Sequence, residues 1–162
     1  MASFPGSARV WVYQADTALS PAAVAELDNR LSAFCAGWQS HGTPLSAAHV
    51  ILHNTFILLA VDQEMAGASG CSIDKSVQVL REAEQALATP LLSRDKVAFL
   101  TNGEIKSFPL SGIKKAVSAG EITADSLLFN NMVTDLQTLR NEWLPEAGKT
   151  WAARHFRVSV NA

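Results

Sequence analysis

The sequence predicts an α+β fold: a ferredoxin-like βαββαβ core with an extra hairpin strand and C-terminal helices. Three observations carry this. Short β-branched and aromatic runs, ARVWVYQA at 8–15 and FILLAV at 56–61, read as strands. Between and after them lie two long stretches with apolar residues at three- and four-residue steps, the mark of an amphipathic helix. Asn102-Gly103 then sits between two short β-like runs, a strong hairpin signal. The resulting order, β-α-β-β-α-β with one added strand, is the ferredoxin-like order.

Each element has a local reason. In the first strand Val10, Val12 and Gln14 share one face, and Trp11 and Tyr13 the other. Ser20 can cap the first helix, and Pro21 stands at its first position, where a missing N–H costs nothing. Val24, Leu27, Leu31, Phe34 and Trp38 make its apolar stripe, and Gly37 and Gly42 frame its end. AHVILHNTFILLAVD, 48–62, reads as two strands around a turn near His53-Asn54-Thr55. FILLAV is apolar on both faces and should be the central strand. Ile73, Val77, Leu80 and Leu87 mark the buried side of the second helix, and Lys75, Arg81, Glu82 and Glu84 mostly its wet side. After the Asn102-Gly103 hairpin, Ser111 opens a short helix through Val117. A longer helix is expected from Asp125 or Ser126, with Phe129, Met132, Leu136, Leu139 and Trp143 at helical spacing, broken by Pro145. KTWAARHF reads as a last short helix, and the tail RVSVNA is assigned no function.

The 162 residues fit one domain, 1–162, with its core roughly over 7–156. The net charge is −2 and there is no run of like charges, which argues against a nucleic-acid or membrane-surface partner. No apolar run reaches the roughly 18 residues that span a bilayer. The start, MASFPGSARVWVYQ, lacks the basic and apolar regions of a secretory signal. Cys35 and Cys71 form no CxxC, and a cytoplasmic protein with two free thiols is expected.

The candidate site is GASGCSIDKSVQVL, 67–80, where small residues lead a cysteine into a helix. Helix N-termini carry unpaired N–H groups and partial positive charge, which favour a thiolate or a bound anion. Lys75 would add to this effect, and Asp74 opposes it. Three readings follow. In the leading one, the loop Gly67–Asp74 binds a small anionic ligand: amides near Cys71 and Ser72 hold it, Ser69 donates a further hydrogen bond, and Gly67 and Gly70 allow close approach. In the second, Cys71 is a nucleophile with His41 or His155 as base. In the third, the chain is a non-catalytic homodimer that uses a sheet edge or the Trp11 face. Against all three stands the plain structural role of small capping residues and a small apolar thiol.

Other constellations are thinner. His49 and His53 share a strand face but stand about 13 Å apart at ~3.3 Å per residue, too far to grip one metal. No acid or cysteine completes a zinc set, so no metal and no cofactor is expected. Cys35 borders the first helix's stripe and reads as core. Trp11 and Tyr13 lack the interleaved Lys and Arg of a base-stacking platform. Asn130 and Asn131 disfavour their helix and can bond to a loop. The loop at 67–72 has no Gly-Lys pair, so it is not a Walker A loop.

At SARVWVYQ, FCAGWQSHGTPL, GASGCSID, LFNNMV and the tryptophan-bearing tail, the chain resembles a family of uncharacterised bacterial proteins. The likeness runs roughly from Ser7 to Phe156, and GCSID is its most specific block. Members are often labelled "ABC transporter ATPase", which the missing Walker A loop contradicts. The resemblance implies a stand-alone cytoplasmic domain and brings no activity, ligand or catalytic residue.

Overall fold

The computed structural model describes residues 1–157. Most of the RVSVNA tail, from 158 on, therefore lies outside the described residues. The first strand is Arg9–Gln14 (β1). Ser20 then caps α1, Pro21–Gly37, by accepting the Ala23 N–H at 3.2 Å. Leu27, Leu31 and Cys35 are its buried side. Trp38 ends the helix in an extended conformation. A small hairpin follows, Gln39–Ser40 (β2) against Thr43–Pro44 (β3). Its turn, His41-Gly42, takes positive φ at both positions, 50° and 82°, the pattern of a type I′ turn. Next come Ser46–Leu52 (β4), a turn with positive φ at His53 and Asn54, and Phe56–Asp62 (β5). The second helix is Gly70–Leu87 (α2).

These elements make a three-stranded antiparallel sheet of order β1-β5-β4. β5 is central, and Phe56 to Val61 are all buried, as its double-sided apolar run requires. α1 connects β1 to β4 with β5 inserted between them, a split β-α-β unit. One face packs Tyr13, Ile57 and Leu59 against Leu27, Leu31 and Cys35 of α1 and Leu80 and Ala83 of α2. Fully burying each large side chain here contributes about 1.5–3 kcal/mol.

The α+β class stands, but the sheet departs from the full ferredoxin-like order. The expected fourth strand, Lys96–Thr101 (β6), pairs with Glu104–Pro109 (β7) and Leu127–Leu128 (β8), in a second sheet of order β7-β6-β8. The free edge of β1, where a fourth strand would lie, is taken by a returning stretch of chain. Val10 N–H donates to the Thr134 carbonyl at 2.9 Å, and Leu136 N–H donates to the Ala8 carbonyl at 3.0 Å. Arg9 and Asp135 form a bridge between these two bonds. The chain thus divides into two compact units, Met1–Ser93 with Asn131–Arg140, and Arg94–Asn130 with Asn141–Ala162.

In the second unit the β6–β7 hairpin turns on Asn102-Gly103, as its positive-φ residues (50° and 79°) demand. A short 3-10 turn, Leu110–Gly112, leads into α3, Ile113–Ser118. The core of this unit is Phe99, Ile113, Ala116, Ile122, Leu128, Ala147 and Ala152. The long helix expected from 125 or 126 to 143 does not form. Leu127 and Leu128 are strand, and Phe129 N–H donates to the Ala98 carbonyl at 3.0 Å. Only Leu136–Glu142 (α4) is helical. Asp135 starts it, accepting the Thr138 N–H at 2.7 Å and its hydroxyl at 2.8 Å. These bonds hold the Asp135 carboxyl below its ordinary pKa. The helical spacing serves other contacts: Phe129 meets Trp143 edge-on at 5.1 Å, and Met132 is exposed. In the first unit Asn131 donates to Gln14 Oε1 at 3.0 Å, so its partner is a strand residue of β1 and not the loop expected. The last short helix is Ala153–Phe156 (α5).

Candidate functional site

Ser69 is the N-cap of α2 and organises the quoted loop. Its Oγ accepts the Ser72 N–H at 3.3 Å, and its carbonyl accepts both the Ile73 N–H at 2.9 Å and the Ser72 hydroxyl at 2.8 Å. Of the opening helix amides that have no intrahelical partner, that of Ser72 is therefore already bonded within the protein. Those of Gly70 and Cys71 make no hydrogen bond among the described residues. Neither Gly67 nor Gly70 has positive φ, and the space around Gly70 is open. Cys71 and Asp74 are exposed, whereas Ser72 is buried and the Ser69 hydroxyl serves the cap. The loop exposes its thiol and two amides but presents neither serine hydroxyl freely.

The concave surface nearby lies one turn further along α2. A groove of about 340 Å³ is lined by Phe34, Gly37, Trp38 and Gln39 at the end of α1, and by Lys75, Gln78 and Val79 of α2. Trp38 lies among these residues but is almost wholly buried. The indole is 2 % exposed, donates from Nε1 to the Ser72 carbonyl at 2.8 Å, and meets the Phe34 ring at 4.7 Å and the Trp11 ring at 5.9 Å. Trp38 thus ties the first turn of α2 to the end of α1. Cys71, Lys75, Gln78 and Val79 fall at i, i+4, i+7 and i+8, one face of α2. The exposed thiol therefore stands one turn N-terminal to the groove's only lysine. Among the described residues, no carboxylate lies within ion-pair distance of Lys75. Gln78 donates to Glu82 at 3.0 Å. The groove's lining is mostly apolar and aromatic, with one positive charge, that of Lys75, in it.

Sequence reasoning placed Lys75 on the wet side of α2 and did not see the groove. The available signal was the pairing of two spacings, an aromatic at each of 34 and 38 and polar residues at 75 and 78. Nothing in the sequence says that these two helix ends face each other.

His41 is exposed at the tip of the β2–β3 turn, and no hydrogen bond links it to Cys71 among the described residues. His155 belongs to the second unit, where Arg154 Nε donates to its Nε2 at 3.2 Å and the Trp151 ring lies at 6.2 Å. His49 Nε2 bonds Asp28 Oδ1 at 2.8 Å, joining β4 to α1. Among the described residues no group of three or more His, Cys, Asp or Glu could hold a metal ion, and no helix is long and apolar enough to cross a membrane.

The two thiols differ in kind. Cys71 is exposed; Cys35 is buried, which pushes its pKa up from the ordinary 9.0 to about 11. Ellman's reagent is expected to take Cys71 at once and Cys35 only on unfolding. Cys35 also makes stability depend on alkaline pH. Between the unfolded and folded pKa values the unfolded state binds fewer protons, so stability falls as pH rises. The contribution is intact below about pH 8.5 and declines toward pH 11, by roughly 2–3 kcal/mol in all at 1.36 kcal/mol per pH unit. Urea unfolding of wild type and Cys35→Val at pH 7.5 and 10.5 checks this: the variant should lose less stability between the two.

No family model matches the chain, and neither does any curated protein or solved structure, so its functional reading rests on the residues described above.

Proposed function

We propose that this protein binds a small ligand with an apolar, flat body and one negative group. The carrying observation is the groove: Phe34, Trp38 and Val79 make its lining mostly apolar, and Lys75 stands among them. Binding pockets are usually of this kind, mostly apolar with a few placed polar groups. The negative group sits at the Lys75 ammonium, toward the Cys71 end of α2, where the free amides of Gly70 and Cys71 and the positive end of the helix favour it. The ligand-binding region thus keeps the anion preference expected of the Gly67–Asp74 loop and adds the groove that the loop lacks.

Thermal shift measurements with a panel of aromatic carboxylates, nucleotides and inorganic phosphate test this. A ligand at ten times its Kd stabilises by about 1.4 kcal/mol, which raises Tm by roughly 3–6 °C in a chain of this size. An aromatic carboxylate should do so, inorganic phosphate alone should not, and Lys75→Glu should abolish the shift without lowering Tm. A panel without effect, or a shift unchanged in Lys75→Glu, sinks the reading.

The thiol-enzyme alternative has one observation in its favour, the exposure of Cys71. Rapid alkylation by iodoacetamide near pH 7 would support it, and slow alkylation would remove it. A cytoplasmic location and membership of the GCSID-containing bacterial family belong to the same proposal.

A further inference from the structure

A sheet edge left bare offers its unpaired backbone groups to another strand. Among the described residues, three edges of the two larger sheets are closed or guarded. That of β1 is paired with the chain at 134–136. At β8, Leu127 bridges Glu146 and Leu128 N–H donates to the Pro145 carbonyl at 2.9 Å. β7 carries Glu104 and Lys106 and ends on Pro109, the residue types that discourage edge pairing. β4 has no such device. Its seven residues, SAAHVIL, include no Lys, Arg, Asp, Glu or Pro. Its register with β5 runs unbroken from Ser46 to Leu52, without a bulge. Among the described residues its backbone pairs on that side only.

The helix beside this edge continues the same surface. α1 packs over β4, and the Asp28–His49 bond fixes which flank of the helix faces the edge. At about 100° per residue, Pro21, Ala25, Ser32 and Ala36 lie on that flank, within about 80° of Asp28. All four are exposed and small. Of the charged residues of α1, Glu26 and Arg30 lie on the opposite flank, and Asp28 lies on this one, bonded to His49.

We propose that β4 pairs antiparallel with β4 of a second copy of this chain, joining two three-stranded sheets into one of six strands. The α1 helices then meet across the two-fold axis through Ala25, Ser32 and Ala36. A second copy is the occupant the surface fits. An antiparallel edge presents matching donors and acceptors to itself, as an isologous interface must. The strand bears no acidic or basic residue to select a charged partner. Small residues let two helices approach to about 8 Å. The seven-residue strand gives a seam of about 23 Å.

Light scattering and hydrogen exchange test this together. An interface with Kd about 10 µM is mostly occupied at about 200 µM protein. The wild type should then weigh close to twice 17.4 kDa, and alternate amides of β4 should exchange about sixfold more slowly than in dilute protein. Ala25→Arg with Ala36→Arg, both at exposed helical positions, should return the mass to 17.4 kDa with the helical circular dichroism intact. The exchange measurement on wild type stands alone if that variant folds poorly. A wild type that remains at 17.4 kDa overturns the proposal. So does a dimer whose β4 amides exchange freely, or one whose mass the folded arginine variant leaves unchanged.

Discussion

Trp38→Ala should be the most damaging single substitution in the first unit, costing about 3–5 kcal/mol. The reasons are additive in kind. The indole is almost wholly buried, packs with Leu45 and Val61, and lies against Phe34 and Trp11. Its Nε1–H also reaches the Ser72 carbonyl in the first turn of α2. Truncation opens a cavity and releases the end of α1 from the start of α2. Domains are stable by only about 5–15 kcal/mol, so the variant should unfold near the limit of useful measurement. Trp38→Phe separates the terms: it keeps most of the apolar contact and loses the hydrogen bond, for about 1–2 kcal/mol. Urea midpoints of the three proteins measure both. An alanine variant within 1 kcal/mol of wild type would show that Trp38 does not hold the two helix ends.

A chain ending at Ser93 should fail to fold cooperatively, although it contains every strand and both long helices of the first sheet. Residues 131–140 belong to the same compact unit. They supply the acceptor for Val10 N–H, the donors to the carbonyls of Ala8 and Gly6, and the Asn131–Gln14 bond. They also bring Val133 and Leu136, both buried. Each hydrogen bond contributes about 1 kcal/mol net, and each buried side chain about 1.5–3 kcal/mol. Their sum, roughly 7–10 kcal/mol, is of the order of a whole domain's stability. Circular dichroism through a urea titration should show a sharp transition for the full chain and a shallow drift for 1–93. Fusing 131–142 to that fragment through a flexible linker should restore the transition. A sharp transition in 1–93 alone would defeat the expectation.

Local signals in the sequence translate directly where the chemistry is local. Ser20-Pro21 caps a helix because a hydroxyl and a missing N–H suit that position whatever surrounds them. Asn102-Gly103 turns a hairpin because its backbone requires positive φ. FILLAV lies at the centre because no solvent face could accept it. The long helix across 126–143 fails for the complementary reason. Its spacing is helical, but Asn130-Asn131 weakens the middle and Asp135 offers a new start, so tertiary bonds from Ala98 and Trp143 decide the matter. The fate of β6 is less legible still, since it turns on a stretch more than thirty residues later that fills the β1 edge. At the site, sequence identified the exposed thiol and its cap. The groove depends on how two helix ends converge, which is a property of the sheet beneath them.

Gln14 and Asn131, which bond across the β1 edge, are 117 positions apart. At about 5–20 residues per second, the ribosome needs roughly 6–23 seconds to pass from one to the other. The first strand to emerge is thus among the last to be completed. During that interval the β1 flank stays bare, until residues 134–136 are made and can close it. Through most of translation, therefore, this strand's backbone is open to pairing with the wrong partner.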